Sequence, residues 1–329
     1  MKSVAGCSLG VLLALLASGL VISAAAQTTA HTTTRKPLVL VVSAAAGAAN
    51  DLLARTLAAE VKDELGPLIV ENRPGANGVI GAEYVRRAVP DGRIMLVTPS
   101  SYAILVALGT PLPYDFVRDF QPVIYAASLP FYLVVNQDAL PAKSVTEFVA
   151  IVRERAGKVS FGSAGNGSPH HFAAEMLKLR AGLDMVHVPY RGMALGIPDL
   201  LEGRIQFVIT GLPAVAISMK TGKLRVLATT ESRRTVQHPE IPTFAEAGLS
   251  GIEMETWLGL VAPTGTPRDA IDRANAAFNR ALKLPQVRDR LAAQGLELVG
   301  GTPEAFGARI RDDIARFGKI VQASGMKPE

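Results

Sequence analysis

A glycine-rich segment at residues 159–175, Val-Ser-Phe-Gly-Ser-Ala-Gly-Asn-Gly-Ser-Pro-His-His-Phe-Ala-Ala-Glu, has the residue types of an anion-binding site. Its order predicts a short strand, a turn and a helix, with Ser168 at the N-cap and Pro169 at the first helical position. The first backbone N–H groups of a helix have no intrahelical acceptor, and the helix dipole attracts negative charge to them. The segment therefore predicts an anion site made mostly of main chain. A glycine-rich turn formed only for tight packing is the alternative.

The same segment lacks the groups that catalysis would need. Neither Ser163 nor Ser168 has a glycine two residues away on both sides, as a nucleophile elbow requires. Gly165-x-Gly167 is not followed by the third glycine of a dinucleotide fingerprint. His170-His171 are adjacent, so on a helix they point about 100° apart and cannot easily share a metal. We therefore expect no catalytic residue, no metal site and no cofactor.

Three further loops follow predicted strands and carry small polar residues or glycine, at 43–51, 98–102 and 210–213. Ligands of open α/β sheets bind beyond the carboxyl ends of strands, so all four loops could border one cleft. Asp51 has two interpretations: it stabilises the dipole of the helix that it begins, by about 0.3–1 kcal/mol, or it pairs with a ligand ammonium. A micromolar binder needs about 8 kcal/mol, more than one helix start provides, so donors from several loops must converge. Ordinary turns are the alternative for each loop.

Strand-like apolar runs alternate with helical periodicities along the whole chain. Leu38–Val42 is an apolar run of the kind that is buried on both faces, and the helix after it repeats Leu53, Leu57, Val61 and Leu65 every four residues. This alternation predicts an α/β fold of doubly wound, mostly parallel sheets with helices on both faces. Because no flexible linker interrupts it, we expect two lobes joined by crossing strands, near 133–136 and 256–260. Lobe 1 then comprises 37–135 plus 256–329, and lobe 2 comprises 136–255.

The N-terminus predicts an exported protein. Lys2, the apolar run 9–22 and Ala24-Ala25-Ala26 form a secretory signal peptide, residues 1–26, cleaved after Ala26; an uncleaved anchor is the alternative. The single cysteine, Cys7, lies within this segment, so disulfides, thiol catalysis and cysteine metal sites are excluded in the mature chain. The net charge of +5 comes without a dense basic run or many aromatics, which argues against nucleic-acid binding.

A series of ordered phrases covering residues 37–325 resembles the Bug-type periplasmic solute-binding proteins of tripartite tricarboxylate transporters. The phrases are Glu71-Asn-Arg-Pro-Gly75, Ile80-Gly-Ala-Glu83, Pro90-Asp-Gly92, Leu112-Pro-Tyr-Asp115, Gly162-Ser-Ala-Gly-Asn-Gly-Ser-Pro-His170, His187-Val-Pro-Tyr-Arg-Gly192, Gly222-Lys-Leu-Arg225, Pro242-Thr-Phe-Ala-Glu-Ala-Gly248 and Trp257-Leu-Gly-Leu-Val-Ala-Pro263. The resemblance implies a two-lobed fold similar to type II periplasmic binding proteins, a periplasmic location in a Gram-negative bacterium, and no catalysis. It also implies capture of a small carboxylate between two loops, 46–51 and 163–170, by a monomer that works with transporter membrane subunits.

Together, the loops and the resemblance predict a set of ligand-binding residues from both lobes. These are Ala46, Gly47, Ala48, Asn50, Asp51, Ser100, Ser101, Ser163, Ala164, Asn166, Gly167, Ser168, His170, Tyr190 and Thr210.

The first loop departs from the pattern of the family that it resembles. The usual Pro-Phe-x-Pro-Gly-Gly-x-x-Asp is replaced by Ser43-Ala-Ala-Ala-Gly-Ala-Ala-Asn-Asp51, without the aromatic, both prolines and the second glycine. We expect a reshaped cleft that takes a bulkier or more apolar acid than the usual dicarboxylates. Alternatives to transport are a ligand-sensing module that signals to a membrane partner and, less favoured by the residues, a hydrolase or dehydrogenase of the same fold.

Overall fold

Two mixed β-sheets flanked by helices make up residues 36–327, the part of the chain that this computed structural model describes. The predicted signal peptide and Cys7 lie outside the described residues. The strands are β1 (Leu38–Val42), β2 (Leu68–Asn72), β3 (Ile94–Pro99), β4 (Phe120–Leu129), β5 (Tyr132–Asn136), β6 (Ser160–Ser163), β7 (Val186–Pro189), β8 (Phe207–Thr210), β9 (Leu224–Thr229), β10 (Thr256–Pro263) and β11 (Glu297–Leu298).

The α-helices alternate with these strands over most of the described chain. They are α1 (Ala49–Leu65), α2 (Val79–Arg86), α3 (Ser101–Ala107), α4 (Val145–Glu154), α5 (Pro169–Ala181), α6 (Met193–Leu201), α7 (Ala216–Met219), α8 (Arg268–Leu282), α9 (Pro285–Ala292) and α10 (Pro303–Ser324). Short 3₁₀ turns lie at Ala76–Gly78 and Leu212–Ala214.

The first sheet has the strand order β11-β4-β10-β3-β1-β2, and the second has the order β7-β6-β8-β5-β9. Parallel pairs join β1 to β2 and β3, and β6 to β7 and β8. In contrast, β10 is antiparallel to β3 and β4, and β5 is antiparallel to β8 and β9. Four strands in each sheet therefore run the same way. This confirms the mostly parallel α/β prediction. The strands that run against the others are β5 in the second sheet, and β10 and the short β11 in the first.

Helices cover both faces of the sheets, as predicted. Side chains alternate along a strand, so Leu40 of β1 joins the core beneath α1, α8 and α9, while Val41 joins the core beneath α2, α3 and α10. In the second sheet, Leu133 lies in the core with α4 and α5, and Val134 lies in the core with α6.

The passage between the sheets lies earlier in the chain than predicted. β4 belongs to the first sheet and β5 to the second, so the chain crosses at Pro130–Phe131. It returns through residues 230–255, where Thr230 N–H donates to Phe131 O at 2.8 Å and Met254 N–H donates to Thr230 O at 2.8 Å. These bonds tie the two crossing segments together. The exact bounds of the lobes stay a prediction.

The sequence did not predict β4, β11 or α3. Pro122 lies inside β4 and breaks the strand pattern, because proline cannot donate to a ladder. The structure accommodates it at a register shift in the pairing with β10. Among residues 36–327, no helix has the length and hydropathy to span a membrane.

Candidate functional site

A cavity of about 450 Å³ opens where strands of both sheets end and helices begin. Its volume falls in the usual range of small-molecule sites, about 300–1,000 Å³. The lining residues are Ser43, Ala44, Asn50, Gly75, Asn77, Gly78, Pro99, Ser101, Leu105, Ala164, Gly165, Asn166, Gly167, Ser168, Pro169, Tyr190 and Arg191.

This lining contains about half of the predicted ligand-binding residues. Those that the structure brings together here are Asn50, Ser101, Ala164, Asn166, Gly167, Ser168 and Tyr190. The other predicted residues are not among the lining side chains; they are Ala46, Gly47, Ala48, Asp51, Ser100, Ser163, His170 and Thr210. Two of them, Asp51 and Ser163, nevertheless hold the loops that border the cavity through hydrogen bonds.

The second loop, 164–168, connects β6 to α5 in the way that its sequence predicts. Ser168 is the N-cap, and its Oγ accepts the N–H of His171 at 3.3 Å, with Pro169 at the first helical position. The amide of residue 170 has no intrahelical acceptor at this end of the helix. Gly167 has a φ of +68°, and a Cβ there would lie 2.8 Å from Leu108 Cδ1, so the loop of one lobe touches the other lobe.

Two histidines stack behind this loop. His171 and His187 lie face to face, with ring centroids 3.9 Å apart and planes 8° apart. His171 Nδ1 accepts the N–H of Gly167 at 3.2 Å, and His187 Nε2 is 2.6 Å from Ser163 Oγ, which also accepts the N–H of Gly165 at 3.1 Å. Ser163 therefore fixes the loop instead of facing the cavity.

His170, predicted to bind ligand, points toward the crossing segment. Its ring packs on Phe131 at a centroid distance of 4.7 Å, and its buried Nδ1 has no partner within the described chain. Burial lowers the pKa of His170 to about 4. His170 is therefore not among the residues that line this cavity, and its role in ligand binding stays a prediction. Adjacent helix positions face different surroundings, and the sequence does not show which one faces the cavity.

In the first loop, Asp51 is 3% exposed and its carboxylate is already bonded within the protein. It accepts the N–H of Gly47 at 2.9 Å, Asn72 Nδ2 at 2.9 Å and Arg55 Nε at 3.0 Å. Burial raises the pKa of Asp51, but hydrogen bonds from Arg55, Gly47 and Asn72 outweigh it and hold the pKa below its ordinary value. Of the two interpretations of Asp51, these contacts support a residue that organises the loop, while pairing with a ligand ammonium stays a prediction.

The Asp51 network leaves the start of α1 available to the cavity. The N-cap, Ala48, makes no side-chain cap bond, so the amides of the first turn have no side-chain acceptor from the cap. Asn50 lies in that turn and lines the cavity. Asn72 Nδ2 also donates to Ala44 O at 3.1 Å and so holds the part of the loop that borders the cavity.

A third wall of the cavity was not predicted from the sequence, although part of it lies in the phrase Glu71-Asn-Arg-Pro-Gly75. Gly75, Asn77 and Gly78 line the cavity, and Asn77 takes a positive φ of 52° in the 3₁₀ turn. Tyr102 Oη donates to Gly78 O at 2.7 Å and fixes this wall from within the core. The proline-glycine pair Pro74-Gly75, close after the end of β2, is the sequence feature that could have indicated this wall.

Arg191 was also missed, although it follows the predicted Tyr190. Among the described residues that line the cavity, Arg191 alone carries a charge, and it is exposed. The Tyr190 hydroxyl donates to Asp199 Oδ2 at 2.7 Å, so this tyrosine offers the cavity its ring. Burial, followed by the nearby Asp199, raises the pKa of Tyr190 to about 12.

Ser100 and Thr210 belong to the framework. Ser100 is fully buried, and its N–H donates to Trp257 O at 2.9 Å. Thr210 is buried in the pairing of β8 with β5. The loop after it, at Leu212 and Pro213, borders a second and larger hollow of about 830 Å³ on another part of the surface. We favour the smaller cavity as the site, because the glycine-rich second loop and the starts of α1 and α5 border it.

The described residues contain no group of three or more His, Cys, Asp or Glu side chains placed to hold a metal ion. What the cavity offers chemically is two helix starts, small polar groups and one cation.

Comparison with known proteins places this arrangement in context. A family model described as the tripartite tricarboxylate transporter family receptor matches residues 53–326. Protein BugT of Bordetella pertussis is 34% identical over 284 residues, which are 85% of this chain and 87% of BugT. A solved structure of Rpa4515 from R. palustris with adipate has 32% identity and a TM-score of 0.77, covering 89% of this chain and 98% of that one. MatC of Rhodopseudomonas palustris with bound malate has 30% identity and a TM-score of 0.73, with coverages of 87% and 98%.

Proposed function

This chain belongs to the tripartite tricarboxylate transporter receptor family, a family of periplasmic binding receptors and not of enzymes. From that premise we propose that its interlobe cavity captures a small organic carboxylate for a transporter. We further propose that residues 1–26 direct it to the periplasm and that it delivers the ligand to membrane subunits.

The main support for the proposal is that Arg191 and the starts of two helices, α1 and α5, border the same cavity. Charge-assisted hydrogen bonds contribute about 1.5–3 kcal/mol each. Three or four of them supply the roughly 8 kcal/mol of a micromolar complex. Amide groups at helix starts and a guanidinium both hold carboxylates, and the adipate and malate of the structural neighbours favour this anion over phosphate.

The ligand that fits best is a dicarboxylate or related acid with a sizeable apolar body. Two structural neighbours bind adipate and malate, each with two carboxylates. In this chain Ala44 lines the cavity at the position where the resemblance expects an aromatic ring, and Pro99 and Leu105 add apolar wall. The space left by the absent ring favours an acid longer or bulkier than malate.

A thermal-shift screen tests the proposal against mono-, di- and tricarboxylates, amino acids and aromatic acids. A ligand at 100 times its Kd stabilises the folded state by about 2.7 kcal/mol, which raises Tm by several degrees in a chain of this size. We expect adipate or an acid of similar length to give a larger shift than malate. If no carboxylate shifts the melting temperature at millimolar concentration, the proposed ligand class is wrong.

A further inference from the structure

The second loop depends on an unprotonated ring nitrogen. The Gly167 N–H donates to His171 Nδ1 at 3.2 Å, and this bond anchors the loop to the first turn of α5. An N–H group can donate only to a ring nitrogen that carries no proton. The proton of the neutral His171 ring therefore lies on Nε2, which is 3.8 Å from Glu175 Oε1.

Protonation of His171 would break this arrangement. Nδ1 would then carry its own N–H and face the Gly167 N–H, so that one hydrogen bond is replaced by two opposed donors. The loop would lose its anchor at Gly167, between Asn166 and Ser168, the polar residues that border the cavity.

The groups around His171 favour its neutral form. On its own helix it faces Glu175 and Lys178, on β7 it faces His187, and the Phe161 ring of β6 stacks on it at 6.3 Å. Glu175 alone favours the cation. Burial, then the neighbouring His187 and Lys178, lowers the pKa of His171 to about 4. Two parallel rings at 3.9 Å cannot both be charged without strong repulsion.

We propose that His171 is the positioning residue of the second loop, and that its protonation releases the Gly167 amide and lowers carboxylate affinity in mildly acidic medium. This inference rests on the proposed function, since it concerns the same site. It makes the receptor hold its ligand near neutral pH and release it as the surroundings acidify.

The direction of the pH effect follows from linkage. With the loop anchored, burial and the neighbouring His187 and Lys178 hold the pKa of His171 at about 4. Release of the loop would expose the first turn of α5 to water, and the pKa of His171 would then rise toward its ordinary value of 6.5. The released state therefore binds more protons between these values, and the anchored state is lost as pH falls through that window. At about pH 5.5 this linkage shifts the balance between the anchored and the released loop by about tenfold toward release, so the loss of affinity relative to neutral pH is at most about tenfold.

Two variants separate positioning from general damage. His171→Asn keeps an acceptor, Oδ1, near the position of Nδ1 and does not titrate, while His171→Leu removes the acceptor. Adipate and malate affinities are measured by calorimetry at about pH 7.5 and about pH 5.5, with folding checked by circular dichroism at both values. Comparison with His171→Asn at the same pH cancels protonation of the ligand itself.

We expect the wild type to lose more affinity than His171→Asn on acidification, by up to about tenfold, and His171→Leu to bind weakly at both pH values. Equal pH dependence in the wild type and His171→Asn, or a neutral-pH affinity of His171→Leu equal to that of the wild type, would overturn the inference. If the wild type binds neither probe, the proposed ligand class has failed instead.

Even if neither acid binds, a measurement without ligand tests whether His171 anchors the second loop. In the NMR spectrum of the full chain, the Gly167 amide shift should titrate together with the His171 ring in the wild type and stay flat in His171→Asn. A Gly167 amide that does not follow the ring would refute the proposed anchor.

Discussion

Gly167 is the place where one substitution should strain the contact between the two lobes. Its φ of +68° lies in the left-handed region, and an added Cβ would be 2.8 Å from Leu108 Cδ1 at the end of α3. That distance is at least about 0.7 Å shorter than the optimum for two carbon atoms. Gly167→Ala therefore combines a backbone cost of roughly 1–2 kcal/mol with an overpacking cost at the low end of the usual range, about 1 kcal/mol, because Leu108 Cδ1 is the end of a side chain that can rotate away.

Gly182→Ala is the matched control for the backbone cost. Gly182 ends α5 with a φ of +60°, and a Cβ there meets nothing within 4 Å. We expect Gly182→Ala to lower the free energy of unfolding by roughly 1–2 kcal/mol without changing ligand affinity. Gly167→Ala should lower it further and also weaken adipate binding by at least about tenfold, or 1.4 kcal/mol.

The assay is denaturant unfolding and calorimetry on both variants, with the double variant Gly167→Ala/Leu108→Ala completing a cycle. Shortening Leu108 removes the atom in the way, so the double variant should be more stable than the two single losses together imply, by about 1–2 kcal/mol. Equal stability and affinity in Gly167→Ala and Gly182→Ala would refute the contact between the lobes. An additive cycle would do the same.

Three other substitutions test the walls of the cavity. Arg191→Gln should weaken the binding of every carboxylate by about 10–150-fold. Lys62→Gln, at the far end of α1, is the control and should bind normally. An unchanged calorimetric affinity in Arg191→Gln would exclude Arg191 from the binding site. Asp51→Asn should weaken acids and amino acids alike and cost about 1–3 kcal/mol. Because the folded pKa of Asp51 lies below 3.8, the stability that Asp51 contributes is present above that value and is lost as pH falls through the folded pKa. Acid unfolding of Asp51→Asn should therefore lack this pH-dependent loss of stability. A loss of affinity confined to amine-bearing ligands would contradict the internal hydrogen-bond network. Ala44→Phe should weaken adipate more than malate, and an unchanged ratio of their affinities would show that this position does not set the length of the ligand.

Local chemistry was predictable from the sequence, and long-range contacts were not. Ser168 caps α5 as its neighbours in the chain require, since a cap depends on residues within one turn. The role of Asp51 was open because Asn72, which bonds it, lies 21 residues away on β2. The same limit applies to His170, whose packing partner Phe131 lies on the crossing segment.

Neither the family resemblance nor the apolar periodicity predicted every feature of the site and the fold. Tyr190-Arg191 belonged to a matching phrase, yet the phrase did not show that the tyrosine hydroxyl turns to Asp199 while the arginine lines the cavity. β4 escaped detection because Pro122 disrupts its pattern, although pairing with β10 across a register shift tolerates it.

The two loops that border the cavity are held by opposite kinds of group, and this has a consequence for release. The first loop is held by an ionised carboxylate, Asp51, whose pKa is kept below 3.8. The second is held at Gly165 by Ser163 and at Gly167 by a neutral imidazole, His171. Protonation of His171 begins to compete with the Gly167 bond below the ordinary pKa of 6.5. As pH falls from neutrality, the anchor of the second loop is therefore challenged while that of the first is still intact. We expect acid-driven release to begin at the lobe that carries α5, with Gly167 losing amide protection before Gly47 in a hydrogen-exchange series; the reverse order would show that the first loop opens first.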